Sequence, residues 1–254
     1  MSTADTLHVL KNASNEDLAP LVAYILEAST TENLTGRSAY KQHQPNHRLY
    51  VDDIFSEIRL FGGNSFVNLF RSEGPSYSEV VQDVAGKFGV KKADSFELVE
   101  LEQELIRTIM RNALSKAEGQ ERLDIEAALK EAGVGQRDLS ALMSGTSLLA
   151  LLGARAAGLL SYQVATIVAS TVARQVLGQS LRVVATGAAS AALGRGVAAL
   201  TGPVGWVLTG VWTAVDLAGP AFRVTAPCVL HIAMLRQRKI AEDLGALREA
   251  FADD

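Results

Sequence analysis

The sequence has little cysteine, proline or aromatic content, and each scarcity narrows the possible folds. A single cysteine, Cys228, excludes an internal disulfide, and its apolar neighbours predict a buried, inert thiol. Six prolines in 254 residues, together with abundant alanine and leucine, leave long stretches without turn signals, which favours helix. No segment sustains the two-residue alternation that is typical of a strand. The sequence therefore predicts an all-α chain.

Signals for export and for chemistry are also lacking. Residues 1–16 are polar, without the basic and apolar regions of a signal peptide, so we expect a reducing, cytoplasmic location. The sequence has no catalytic-triad order, phosphate-binding loop or dinucleotide fingerprint. His43 and His47 lie four residues apart, but Pro45 between them breaks helical spacing and argues against a metal site. Short basic runs without interleaved aromatics argue against nucleic acid. We therefore expect a non-enzymatic protein without cofactor or metal.

Charge divides the chain into two unlike parts. Residues 1–138 carry 15 Lys/Arg against 22 Asp/Glu, a balance of -7, whereas residues 139–239 carry 8 Lys/Arg against Asp216 alone, a balance of +7. Such asymmetry indicates a partner or surface preference. We predict an acidic helical domain over residues 1–138 and an apolar, Gly/Ala-rich helical region with a polar C-terminal tail over residues 139–254, arranged as a multi-helix bundle.

Hydrophobic periodicity and capping residues predict the individual helices. Ser14 is the expected N-cap of the first of them, and the turn at Gly74-Pro75-Ser76 is expected to start another. Residues 30–47 are polar and aperiodic and predict a loop. The other predicted helices span about 48–61, 66–70, 95–117 (closed by Gly119), 121–132, 136–143, 146–160, 161–177, 181–200, 204–218 and 221–240, followed by an amphipathic tail over 236–254.

The second part contains a stretch long enough to cross a bilayer. Residues 196–215 carry no charge over 20 positions, although Gly202, Pro203 and Gly205 interrupt them. Residues 183–199 are dense in alanine and glycine, which lets helices approach closely in lipid. A tightly crossed helix in a soluble core needs the same small residues, so this stretch leaves the two environments open.

Five arginines lie among apolar neighbours in this part of the chain. They are Arg155, Arg174, Arg182, Arg195 and Arg223. A charge in such a setting must pair, extend its head group to an interface, or face water. Asp216 is the only acid close to them in the sequence, so two alternatives stand. The acidic part covers the guanidinium groups within the chain, or they contact anionic lipid headgroups or a protein partner.

Several sequence blocks carry a family resemblance. They are residues 14–18 (SNEDL), 60–71 (LFGGNSFVNLFR), 77–84 (YSEVVQDV), 202–205 (GPVG) and 222–230 (FRVTAPCVL). With these blocks the chain resembles the bacterial YaaW family of uncharacterised proteins, whose central part is similar to the ubiquinol–cytochrome c chaperone domain. The resemblance implies a helical fold, a bacterial origin and a chaperone-like first part, and it implies no activity or catalytic residues.

Two functional hypotheses follow. The first is a membrane-associating helical protein, peripheral to or inserted in the inner membrane, with conditional insertion as a variant. The five arginines and the 202–205 turn are its candidate contacts with an anionic surface. The second is a soluble protein-binding or assembly factor. Its predicted docking groove lies near Phe61 to Phe70, which includes the helix stop and restart formed by Phe61, Gly62, Gly63 and Asn64.

Overall fold

The computed structural model describes residues 3–28, 33–62, 74–144, 157–177 and 220–252, and every regular element within these ranges is helical. The predicted all-α class is confirmed. The α-helices are α1 (Thr3–Lys11), α2 (Asn15–Ala28), α3 (Asn33–Gly36), α4 (Ser38–His43), α5 (Val51–Gly62), α6 (Tyr77–Lys87), α7 (Leu98–Lys116), α8 (Gly119–Glu131), α9 (Gln136–Met143), α10 (Ala157–Leu177) and α11 (Pro220–Ala252), with short 3₁₀ turns at His47–Tyr50 and Ala93–Ser95.

Reciprocal capping boxes start α2 and α6 where the sequence predicts them. At α2 the backbone N–H of Asp17 donates to Ser14 Oγ at 3.1 Å, and the N–H of Ser14 donates to Asp17 Oδ2 at 3.0 Å. Ser76 and Glu79 make the equivalent pair at α6. Each box satisfies backbone donors that a helix start otherwise leaves unpaired, which fixes where the helix begins.

Two local predictions between residues 30 and 119 are wrong. The predicted loop over residues 30–47 contains α3 and α4, with the 3₁₀ turn beginning at its end. α4 buries none of its residues, so it has no apolar periodicity for a sequence pattern to detect. Gly119 does not close α7, which ends at Lys116. It opens α8 with a positive φ of 49°, a conformation that glycine adopts without steric cost.

The C-terminal helix differs most from its prediction. α11 runs unbroken over 33 residues through Pro227, and the predicted separate tail from residue 236 is its continuation. Polar residues near 236 indicated a surface segment, yet Arg236 and Gln237 are buried because polar side chains of α7 receive them. The predicted break between residues 160 and 161 is wrong, because α10 runs through it from Ala157 to Leu177. The predicted helices near 66–70, 181–200 and 204–218, and the part of the predicted helix 146–160 before residue 157, lie outside the described residues.

The first half of α11 lies at the centre of the described structure. It packs against α1, α2, α5, α6, α7 and α10, and all of its residues from 224 to 237 are buried. A helix that is apolar on every side needs neighbours all round, and these helices supply them. Cys228 lies within this buried stretch as predicted, and burial raises the pKa of its thiol.

Close helix approaches depend on two glycines. A Cβ on Gly62, the last residue of α5, would lie 2.5 Å from Val80 Cγ2 on α6. A Cβ on Gly158 of α10 would lie 2.7 Å from Leu244 Cδ1 on α11. The predicted helix stop at Gly62 and Gly63 lies at the edge of the described residues, and the contact with Val80 gives a packing reason for a residue without a side chain at position 62.

Candidate interaction surface

A buried ion pair fixes α11 within the N-terminal helices. Arg236 is 2% exposed; its Nε donates to Glu102 Oε2 at 2.7 Å and its Nη2 donates to Thr6 Oγ1 at 2.7 Å. The hydroxyl of Tyr77 donates to Glu102 Oε1 at 3.2 Å. These side chains come from α11, α7, α1 and α6. Because a buried charge is tolerated only with its partners in place, the pair permits one register of α11 against these helices.

The electrostatics of this network follow from its burial. Burial raises the pKa of the Glu102 carboxyl, and the nearby Arg236 guanidinium opposes that rise. Burial also raises the pKa of Tyr77, and the neighbouring Glu102 carboxylate reinforces the effect. Tyr77 therefore stays a neutral hydrogen-bond donor at physiological pH, which suits an acceptor on Glu102.

A second polar anchor lies two residues further along α11. Arg238 donates from Nη1 and Nη2 to the two carboxylate oxygens of Asp17, at 2.8 and 2.6 Å. His231 Nε2 donates to the backbone carbonyl of Asp17 at 2.8 Å. Burial alone would raise the pKa of Asp17, but the hydrogen bonds from Arg238 and Ser14 hold it below its usual value. Asp17, which accepts a hydrogen bond from the Ser14 N–H at the start of α2, thus also fixes α11.

The last three turns of α11 present an apolar face to solvent. Ile240, Leu244, Leu247 and Phe251 follow one another at intervals of four, three and four residues, which places them on one side of an α-helix. Ile240 is half-buried, and the exposed fraction then rises from 38% at Leu244 to 54% at Leu247 and 77% at Phe251. We call these four residues the terminal stripe. α11 thus passes from the core into solvent without losing its apolar face.

The structure describes four of the residues predicted to form an interaction site, namely Phe61, Gly62, Arg174 and Arg223. Phe61 is half-buried and packs against the core, and Gly62 packs against Val80, so neither opens a groove in the described structure. Arg223 is exposed on the first turn of α11. Arg174 belongs to α10. The remaining predicted residues, Gly63, Asn64, Arg155, Arg182, Arg195, Gly202, Pro203 and Gly205, lie outside the described residues.

The terminal stripe and the buried ion pair were not among the predicted sites. The stripe has a sequence signal, because its four-three-four spacing is visible in the stretch predicted as an amphipathic tail. The Arg236–Glu102 pair has no sequence signal, since its two residues are 134 positions apart and no local pattern links them. For the same reason no acid of the first part could be assigned to Arg238 from sequence.

The described ranges contain neither a helix able to cross a bilayer nor a metal-binding cluster. Among the described helices, none combines the length and the apolar character that a bilayer crossing requires. His43 ends α4 and His47 opens the following 3₁₀ turn. The described residues contain no group of three or more His, Cys, Asp or Glu side chains placed to hold a metal ion.

Comparison with known proteins identifies the family. A UPF0174 protein of Helicobacter pylori strain J99 is 34% identical over 235 residues, which cover 91% of this chain and 90% of the relative. The UPF0174 protein YaaW of Escherichia coli K12 is 32% identical over 195 residues, 77% of this chain and 74% of the relative. The chain belongs to the UPF0174 family. The resemblance to YaaW proteins is thereby confirmed, while no family model and no solved structure matches the UPF0174 chain.

Proposed function

We propose that this UPF0174 chain is a non-enzymatic protein-binding or assembly factor that docks a partner on the terminal stripe of α11. The observation that carries the proposal is the rise in exposure along the stripe, from half-buried Ile240 to Phe251 at 77%. Anchors at positions i, i+4, i+7 and i+11 are how amphipathic helices engage an apolar groove or a second helix. In this proposal the acidic part and the apolar part form one helical bundle that holds α11 rigid.

The energetics of the stripe indicate a transient complex. Covering the exposed fractions of Leu244, Leu247 and Phe251 would contribute about 3–5 kcal/mol, at roughly 1.5–3 kcal/mol for each fully buried apolar side chain. A micromolar complex needs about 8 kcal/mol after the entropic cost of association. The stripe therefore supplies the apolar centre of an interface, and polar contacts around it must supply the rest.

Site-specific photo-crosslinking in growing bacteria tests this proposal. A photoreactive residue replaces Leu247 in one strain and Glu249 in a matched control. Glu249 is also exposed, but it lies two residues on, about 200° around the helix. We expect one recurrent protein adduct from position 247, lost when Phe251→Ser is added. Equal adducts from both positions, or none from position 247, would contradict docking on the stripe.

Membrane association is the second candidate function, and a sequence observation favours it. The 20 uncharged residues from 196 to 215 and three of the arginines, Arg155, Arg182 and Arg195, lie outside the described residues. In this candidate they would bring an otherwise cytoplasmic chain to the anionic surface of the inner membrane, or insert conditionally. Flotation of the purified chain with liposomes that contain anionic lipid is the test. Protein that stays at the bottom of the gradient would exclude it.

A further inference from the structure

We infer that acidification releases α2 from α11 through protonation of His231, and thereby uncovers the apolar contact between these two helices. His231 lies where the start of α2 meets the middle of α11. It is 4% exposed, and its Nε2 donates to the backbone carbonyl of Asp17 at 2.8 Å. Such a release goes beyond docking on the terminal stripe and does not depend on it.

The buried ring of His231 has no acceptor for a second proton. Because a carbonyl oxygen only accepts hydrogen bonds, the neutral ring carries its proton on Nε2. Among the described residues, no group makes a hydrogen bond with Nδ1. A proton added there creates a buried, charged donor without a partner, which costs free energy unless the site opens to water.

The charges that face the ring are already paired with each other. The Asp17 carboxylate favours a protonated ring, but both of its oxygens accept from Arg238, whose own charge opposes protonation. Tyr24 of α2 meets the ring edge-on, and burial keeps its hydroxyl neutral. The titratable groups of the other helices that pack around α11 act elsewhere: Asp5, Tyr77 and Glu102 on Arg236, Tyr162 on Arg238, and Glu57 on Arg37.

Protons therefore favour the state in which α2 has separated from α11. Burial lowers the pKa of His231 in the closed chain, and separation returns it to about 6.5. The population of the separated state then rises by as much as about tenfold for each pH unit below 6.5. Asp17 stays ionised above pH 5 because its pKa lies below 3.8, so its pairing with Arg238 does not change in this interval.

The construction of α2 allows it to separate by itself. It has 14 residues, and Pro20 within it lacks the N–H that would bond to the carbonyl of Glu16. A helix of this length depends on tertiary packing for its stability. The Arg236 network ties α11 to α1, α6 and α7 without any residue of α2. Separation uncovers apolar side chains of α2 that are at most 5% exposed in the closed chain, namely Leu18, Leu21, Val22 and Ile25.

The single cysteine of the chain reports this opening. Cys228 is fully buried, lies three residues before His231 on the same side of α11, and interacts electrostatically with Tyr24 of α2. The probe is dithiodipyridine, a disulfide reagent that labels thiols in acidic as well as neutral buffer. The labelling rate of the folded chain is divided by that of the urea-unfolded chain at the same pH, which removes the pH dependence of the thiol itself.

Two histidine variants are compared with the unsubstituted chain. His231→Gln keeps a side-chain N–H for the Asp17 carbonyl and cannot be protonated, whereas His43→Gln changes a half-buried histidine at the end of α4. Between about pH 7.5 and 5.5 we expect the normalised rate to rise at least about threefold in the unsubstituted chain and in His43→Gln, and to stay constant in His231→Gln. An equal rise in His231→Gln, or no rise in the unsubstituted chain, would overturn the inference.

Hydrogen–deuterium exchange of the unsubstituted chain separates local release from global unfolding, and it decides the matter even if His231→Gln fails to fold. After correction for intrinsic rates, acid should speed exchange within residues 16–28 and leave residues 98–116 of α7 unchanged. The same acceleration in α7 as in α2 would overturn the release of α2, because it would mean that the whole chain unfolds.

Discussion

At the scale of single residues, the buried Arg236–Glu102 pair is the strongest constraint on the core. Glu102→Gln leaves the Arg236 guanidinium buried without a carboxylate. We expect a fall of about 3–5 kcal/mol in the free energy of unfolding, measured by urea denaturation. Asp243→Asn is the matched control, because it removes an exposed pair with Lys239 and should change stability by less than about 0.5 kcal/mol. Similar, small effects of both substitutions would show that Arg236 is not buried as described.

His231 makes stability depend on pH. Burial lowers its pKa below the ordinary value of 6.5, so the folded chain keeps it neutral under conditions in which the unfolded chain binds a proton. The contribution of neutral His231 to the free energy of unfolding is therefore fully present above about pH 6.5, and it decreases as the pH falls below that value. The polar groups that face the ring are Asp17, Arg238 and Tyr24.

The pH effect is measured by comparing the chain with His231→Gln. The free energy of unfolding of the unsubstituted chain should fall more steeply between pH 6.5 and 5 than that of the variant. Taking the difference between the two profiles removes the contribution of Glu102, whose raised pKa acts in the opposite direction. Parallel profiles would contradict a buried, neutral His231.

At the scale of helices, the α5–α6 contact depends on the absence of a side chain at position 62. Gly62→Ala places a Cβ 2.5 Å from Val80 Cγ2, and valine has little freedom to move aside. We expect a loss of about 1–3 kcal/mol in thermal or urea unfolding. Gly86→Ala in α6 is the control, since a Cβ there would meet no atom of the described chain within 4 Å, and it should stabilise the protein by up to about 1 kcal/mol. Equal effects at the two glycines would refute the close approach of α5 and α6.

Local chemistry made the starts of several helices predictable. Ser14 and Ser76 cap their helices through residues three positions away, so short sequence windows contain the whole signal. The course of α11 was not predictable in this way. The sequence near Arg236 predicts a surface segment, because the partners that bury these residues, Glu102 and Gln103, lie on a helix 134 residues earlier. The spacing of the terminal stripe could be predicted from the sequence. The solvent exposure of its side chains could not, because it depends on which helices surround α11 and where those helices end.

At the scale of the whole molecule, α11 connects the core to a surface. Its residues 224–237 are enclosed by helices of the acidic part and by α10, and its last three turns extend the same helix into solvent. A docking element that continues a buried helix is already ordered before binding, so a partner does not have to offset the entropy of folding it. The predicted separation of residues 1–138 from 139–254 stays a prediction.

α11 has two environments in the free chain, a buried first half and a solvent-exposed end, and amide hydrogen–deuterium exchange measures this difference most directly. Local opening energies range from near zero at exposed helix ends to the full stability in the core. We therefore expect amides within residues 224–237 to exchange at least about a hundredfold more slowly than those within 244–252. Equally slow exchange through residue 252 would contradict the account, because it would mean that the free chain already covers the terminal stripe.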